Sequence, residues 1–168
     1  MVILGIDPGV VSTGYGLLTT AAGQPEVLDY GTIVMESKLD LPSRLQGIYQ
    51  GLAEICGRYH PEAMSIEDLF YNKNVRTAMT VGHVRGVIIL VGVQQGLTVH
   101  TYTPLQIKQA VTGYGRAEKE QLQRMLKLIF KLPAAPEPDH AADALGAAFC
   151  HLNYSRLAYR QEPRKERQ

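Results

Sequence analysis

Apolar positions run in short continuous blocks near the start of the chain and switch to helical spacing after residue 40. Val2 to Asp7 reads as a buried strand closed by an Asp-Pro-Gly turn, and Gly14–Thr20 and Val27–Met35 are two more apolar runs bounded by turn residues. Strands so closely spaced predict an antiparallel meander. Leu45, Ile48, Leu52, Ile55 and Cys56 then recur at helical spacing between Leu41-Pro42-Ser43 and His60-Pro61. Ala63 to Glu67 is a short strand. Val75 to Gln95 is long enough for a helix, although Gly82, Gly86 and Gly92 lower its propensity, and the glycines four apart would admit a close neighbouring backbone. Leu97 to Tyr102 is strand-like. Thr103-Pro104 opens a helix to about Thr112, and Gly113-Tyr114-Gly115 breaks it. Ala117 to Lys131 is amphipathic, with Leu122, Met125, Leu126 and Ile129 inward. Pro133, Pro136 and Pro138 lead to a last helix from Asp139 to Tyr154.

The order βββαβαβααα predicts an α/β domain: a mixed five-stranded sheet, antiparallel at its start, with helices on both faces. That arrangement points to a ribonuclease-H-like fold. A length of 168 residues with 45% hydrophobic composition fits one such domain over residues 1–155. Residues 156–168 become charged and apolar-poor, which predicts a disordered tail.

Composition narrows the chemistry less than charge placement does. The formal net charge is only +1, yet Leu69 to Ala117 contains no Asp or Glu while Lys73, Arg76, Arg85, Lys108 and Arg116 all fall there. A basic face beside an acidic centre is therefore compatible with near-neutrality. Cys56 and Cys150 lack metal-ligand spacing and read as buried reduced thiols. The opening strand has no signal-peptide pattern, and no run approaches the ~20 apolar residues of a membrane span. The expectation is a cytoplasmic protein.

Three acidic clusters carry the candidate chemistry: Asp7 in Gly5-Ile6-Asp7-Pro8-Gly9, Glu67 in Ser65-Ile66-Glu67-Asp68, and Asp139-His140-Ala141-Ala142-Asp143. Asp7 and Glu67 close apolar strands, where a buried carboxylate is costly without a counter-charge. If those strands are parallel neighbours, both ends meet at one sheet edge. In the third cluster Asp139 follows Pro138 as a helix-cap candidate, and His140 and Asp143 share a helical face. Hard oxygen ligands drawn from distant segments suit Mg²⁺ or Mn²⁺. Asp68 reads as an exposed strand end. Leu69-Phe70-Tyr71-Asn72-Lys73-Asn74 places two aromatics in a polar loop, a candidate stacking surface for unstacked bases. Lys108, Arg116 and Lys119 flank the 113–115 break, where cations could hold phosphates.

Together these segments strongly resemble the RuvC family of Holliday-junction resolvases. The resemblance rests on Gly-Ile-Asp-Pro-Gly, Thr13-Gly14-Tyr15-Gly16, Leu41-Pro42-Ser43-Arg44-Leu45, Ile66-Glu67, Asn72-Lys73-Asn74, Arg85-Gly86, Gln106-Ile107-Lys108-Gln109, Ala117-Glu118-Lys119 and Asp139-His140-Ala141-Ala142-Asp143-Ala144-Leu145. It is collinear from about residue 1 to 155. The resemblance implies a homodimer that cuts opposing strands of four-way junction DNA and works with the RuvA–RuvB branch-migration complex. By position it makes Asp7, Glu67, His140 and Asp143 the catalytic metal-binding residues. In the best-known form of the motif the third ligand is an aspartate, so the slot lies open between His140, which aligns with it, and Asp139 one residue away. Phe70 matches the family's aromatic at the junction centre, and Lys108 and Lys119 its basic residues near the scissile phosphate. Tyr71, Asn72, Lys73, Arg76 and Arg116 complete the candidate DNA-binding set.

The expected mechanism is phosphodiester hydrolysis with two Mg²⁺ ions roughly 4 Å apart, Mn²⁺ also serving, leaving 5′-phosphate and 3′-hydroxyl ends. An actin-like sugar kinase shares the opening motif but needs a second phosphate loop and about twice the length. A non-catalytic junction-binding module needs the basic face without the acids.

Overall fold

The computed structural model describes the backbone of residues 1–20, 24–68 and 75–161, and their side chains except 75, 76 and 157–161. Strands β1 (Val2–Asp7), β2 (Ser12–Thr19) and β3 (Glu26–Val34) precede helix α1 (Leu41–Tyr59). Then follow β4 (Ala63–Glu67), α2 (Val75–Gln94), β5 (Thr98–Tyr102), α3 (Pro104–Thr112), α4 (Lys119–Phe130) and α5 (Asp139–Gln161). The element order matches the hydrophobic pattern. The sheet runs β3-β2-β1-β4-β5. β1 pairs antiparallel with β2 and parallel with β4, so the first strand is central. This is the mixed five-stranded, ribonuclease-H-like sheet expected.

Local chemistry sets the helix ends. Asp40 caps α1 by accepting from the Ser43 N–H at 3.0 Å, and His60 ends it with φ 46°. Thr103 and Gln106 form a reciprocal capping box on α3, with Pro104 in its first turn, and Gly113 closes it at φ 77°. α5 continues to Gln161, past the Tyr154 end read from sequence and into the segment expected to be a tail.

Strand alternation divides the core between the sheet faces. Leu4, Ile6, Leu17, Met64 and Ile66 pack on α1 and α2. Ile3 and Leu18 pack on the face covered by α3, α4 and α5. On that second face the sheet is stripped of side chains where α5 crosses it. A Cβ on Gly5 would lie 2.0 Å from the Ala144 carbonyl oxygen, and one on Gly16 2.7 Å from the Leu145 nitrogen. α5 answers with Ala141, Ala144, Ala147 and Ala148, all buried. The buried Ser65 hydroxyl donates to the Ala147 carbonyl at 2.7 Å, fixing the helix along the sheet.

α2 departs from two expectations. Its window Thr77–Gln94 is long and apolar enough by composition to cross a membrane, with mean hydropathy 1.3, yet only 22% of it is buried. Among the described residues nothing approaches Gly82 or Gly86, where an added Cβ would meet no atom within 4 Å. Met79, Leu90 and Val93 face outward on the same helix.

Candidate active site

Asp7 is the last residue of β1 and Glu67 the last of β4, one step beyond the parallel pair Ile6 and Ile66. Alternation puts both on the face covered by α5, in line with Gly5 and Ser65. Asp143 comes from the first turns of α5, brought in by the contact of that helix with β2. There Gly14 lies opposite Asp7 in the β1–β2 register, and a Cβ on it would stand 1.9 Å from the His140 carbonyl oxygen. Two strand ends and one helix start therefore converge because glycine lets the helix down onto the sheet.

The result is a group of three carboxylates whose nearest ligand atoms all lie within 4.8 Å of one another. Their electrostatics follow from burial and mutual repulsion. Burial, then the charges of Asp7 and Asp143, pushes Glu67 up to about 8. Burial, then Asp7, pushes Asp143 up to about 6. Asp7 is also raised by burial, against the opposing pull of its hydrogen bond and charge interaction with His140. Burial and mutual repulsion both favour the neutral acids, and a bound cation would offset that cost; together the three form a hard, all-oxygen ligand set of the kind Mg²⁺ and Mn²⁺ take.

His140 joins the cluster through Asp7, its Nδ1 lying 2.5 Å from Asp7 Oδ2. Asp139 does not. It was expected as the cap of α5, but the Pro138 carbonyl accepts the first helical bonds, from Ala141 and Ala142, so Asp139 already stands inside the first turn. Its carboxylate is taken up by Lys119 Nζ at 2.9 Å and by Gln123 Nε2 at 2.9 Å. Of the two candidates for the open slot, His140 touches the acidic centre and Asp139 faces α4.

Lys119, first residue of α4, and Lys108 on α3 both bring positive charge to bear on Glu67, and Lys119 also on Asp7 and Asp143. Arg116 is exposed in the connection between those helices. Phe70, Tyr71, Asn72 and Lys73 lie outside the described residues, as does the side chain of Arg76.

Two functional contacts escaped the sequence reading. Asp68 is no bare strand end: Arg85 Nη1 meets its carboxylate at 2.7 Å, Arg85 Nη2 donates to Thr101 at 3.0 Å, and the Asp68 N–H donates to the Tyr102 carbonyl at 2.8 Å. This ties the exit of β4, next to Glu67, to α2 and β5. An arginine inside an apolar helix was the available signal, since such a charge needs a partner. Gln123 carried no signal, because its partner Asp139 is brought to it only by the packing of α4 on α5.

Comparison with known proteins agrees with this geometry. The family model described as crossover junction endodeoxyribonuclease RuvC matches residues 3–151. A crossover junction endodeoxyribonuclease RuvC from Desulforamulus reducens is 50% identical over 155 residues, covering 92% of this chain and 95% of the relative. One from Ruminiclostridium cellulolyticum is 48% identical over 157 residues, covering 94% and 95%. Among solved structures, T. thermophilus RuvC in complex with a Holliday junction substrate superposes with TM-score 0.88 at 33% identity, covering 94% of this chain and 96% of that one. The yeast mitochondrial Holliday junction resolvase shares the fold, with TM-score 0.69 at 12% identity over 95% of this chain and 80% of the other. The family model over residues 3–151 and relatives near 50% identity over nearly the whole length place the chain in the RuvC family of crossover junction endodeoxyribonucleases.

Proposed function

We propose that this chain resolves Holliday junctions by metal-dependent hydrolysis of a phosphodiester in each of two opposing strands. The observation that carries the reading is the convergence of Asp7, Glu67 and Asp143, two of them with pKa values pushed up to about 8 and about 6, at the open end of the parallel strands. The donor set fits Mg²⁺, with Mn²⁺ as substitute, and two such ions when bound would supply an activated water and charge neutralisation at the leaving oxygen. Asp7, the most central acid, would hold the metal together with Glu67 and Asp143. His140 orients Asp7 through their hydrogen bond and would serve beside the three carboxylates as a further ligand or as a water-positioning group. Lys108 and Lys119 stabilise the charge that develops on the phosphate, leaving 5′-phosphate and 3′-hydroxyl ends.

Phe70 and Tyr71 are assigned to unstacked bases at the junction, and Asn72, Lys73, Arg76 and Arg116 to its backbone. Two copies joined through the outward face of α2 would set two sites against opposing strands. Met79, Leu90 and Val93 there are 63%, 50% and 63% exposed, an apolar stripe broken only by small and polar residues. Contact with the RuvA–RuvB complex rests on family membership alone. Residues 1–155 are taken as the nuclease domain.

Synthetic four-way junctions titrated with Mg²⁺ and Mn²⁺ test the reading. Paired nicks that need the metal are expected, and Asp7→Asn should lower the rate by at least about 10³-fold while still binding the junction. Binding without metal-dependent cutting would favour a non-catalytic junction module. Equal cutting of plain duplex would refute structure selectivity.

A further inference from the structure

We infer that Asp139 and Gln123 are positioning residues that hold the Lys119 ammonium at the edge of the carboxylate cluster, ready for the phosphate being cut. The inference deepens the nuclease reading above and rests on it. Lys119 and Gln123 are four residues apart on α4 and so share a face. Asp139, on the first turn of α5, gives one oxygen to each: Oδ2 to Lys119 Nζ and Oδ1 to Gln123 Nε2, both at 2.9 Å. The carboxylate is thus gripped from both sides, and its orientation is fixed by an uncharged amide as well as by the lysine.

Stability does not explain this arrangement. Lys119 and Asp139 are about half exposed, 47% and 55%, and an exposed ion pair contributes only about 0–1 kcal/mol. Lys119 is also the first residue of α4, where the helix dipole disfavours a cation, and Glu118 supplies no side-chain cap. A lysine in a place that costs helix stability, held by a carboxylate that Gln123 in turn fixes, is explained by what its charge reaches. It reaches Asp7, Glu67 and Asp143. A lysine stem is flexible, with about 2 kcal/mol of rotamer entropy, so a free ammonium would spend little time in one place. Lys119, Gln123, Asp139 and His140 line one open depression of roughly 680 Å³ together with Glu137 and Pro138. His140 joins that depression to Asp7, so the clamped ammonium shares an open depression with a residue bonded to the acid cluster.

The test is a double-mutant cycle read by single-turnover cleavage of a four-way junction at saturating protein and Mg²⁺. Lys119→Ala should lower the rate by about 10²-fold, as loss of one charged stabiliser does. Asp139→Ala and Asp139→Asn should each lower it about 10-fold, because the amide keeps an acceptor for Gln123 but not the charge for Lys119. Junction affinity should change less than about 2-fold for both, which a general loosening of the fold would not allow. In the Lys119→Ala background, Asp139→Ala should cost nothing more. Rates that multiply, or an Asp139→Ala enzyme at the wild-type rate, would overturn the inference. A readout independent of cutting is acylation of Lys119 by a small reagent in metal-free protein, followed by mass spectrometry. Labelling should accelerate severalfold in Asp139→Ala and less in Gln123→Ala; unchanged labelling would sink the clamp. If the wild-type chain failed to cut junctions, the nuclease reading would fall, while the labelling would still decide whether Lys119 is held.

Discussion

Gly14→Ala tests whether the helix–sheet spacing sets the active site. The added Cβ would stand 1.9 Å from the His140 carbonyl oxygen and 2.4 Å from its carbonyl carbon, whereas real Cβ contacts essentially never fall below 3.0 Å. Closing the difference for the oxygen, 3.0 minus 1.9, requires 1.1 Å of separation between β2 and the first turn of α5. Both sides are backbone, so no rotamer change can absorb it. Moving that turn carries His140 off its 2.5 Å contact with Asp7 and takes Asp143 with it. Overpacking of this kind costs about 1–3 kcal/mol, and a displacement near 1 Å at a catalytic group costs on the order of 10²-fold in rate. The assay pairs single-turnover junction cleavage, well below the melting temperature, with a thermal melt by circular dichroism. Expected is a melting temperature lowered by about 2–10 °C and a rate lowered about 10²-fold even at saturating Mg²⁺. Gly57→Ala on α1, where a Cβ meets nothing within 4 Å, serves as the control and should leave the rate unchanged. A Gly14→Ala enzyme that melts early but cuts at the wild-type rate would show that α5 does not set the geometry of the acids.

Metal-free protein should lose stability as pH rises. Glu67 and Asp143 bind their protons more tightly folded than unfolded, where 4.5 and 3.8 apply, so their stabilising protonation is complete below about pH 4. It is then lost as pH climbs through about 6 for Asp143 and about 8 for Glu67. Melts from pH 4 to 9 in a chelator should show this decline, and Mg²⁺ should raise the melting temperature more at pH 8 than at pH 5; a flat profile would contradict the site's electrostatics. If two copies pair through the outward face of α2 as proposed, Leu90→Lys should shift sedimentation from dimer to monomer while leaving the fold intact, since Leu90 is 50% exposed within one chain. An unchanged dimer would move the interface elsewhere.

What the sequence disclosed, and what it hid, follow from the range of the forces involved. Thr103-Pro104 and Gly113 marked both ends of α3 because capping is settled within a few residues. Asp7 and Glu67 were readable as partners because parallel strands align their carboxyl ends by rule. Gly5, Gly14 and Gly16 stood in the motifs without a structural role, since what needs them is a helix more than a hundred residues away. Asp139 was misread as a cap for a related reason: its spacing from Pro138 was local evidence, but Lys119 and Gln123 are tertiary partners. Asp68 was misread likewise, since its partner Arg85 comes from α2.

The acid cluster also sets function against stability, and Asp143→Asn separates the two. Three carboxylates within 4.8 Å repel one another, and two unit charges at that range interact by about 3 kcal/mol at an effective dielectric near 20. Partial protonation relieves some of this near neutrality, so the net gain from removing one charge should be about 1–2 kcal/mol. The metal-free Asn variant should therefore melt about 2–8 °C above wild type at pH 8. At pH 4.5, where Asp143 and Glu67 are largely protonated in wild type, the advantage should nearly vanish, which distinguishes relieved repulsion from better packing. Mg²⁺ should reverse the order at pH 8, because the wild type keeps all three oxygen donors and the variant loses a charged one. Cleavage should fall in the variant throughout. A variant no more stable than wild type at pH 8 without metal would mean that the fold does not hold these acids against their mutual repulsion, and that their convergence is not a site kept at the expense of stability.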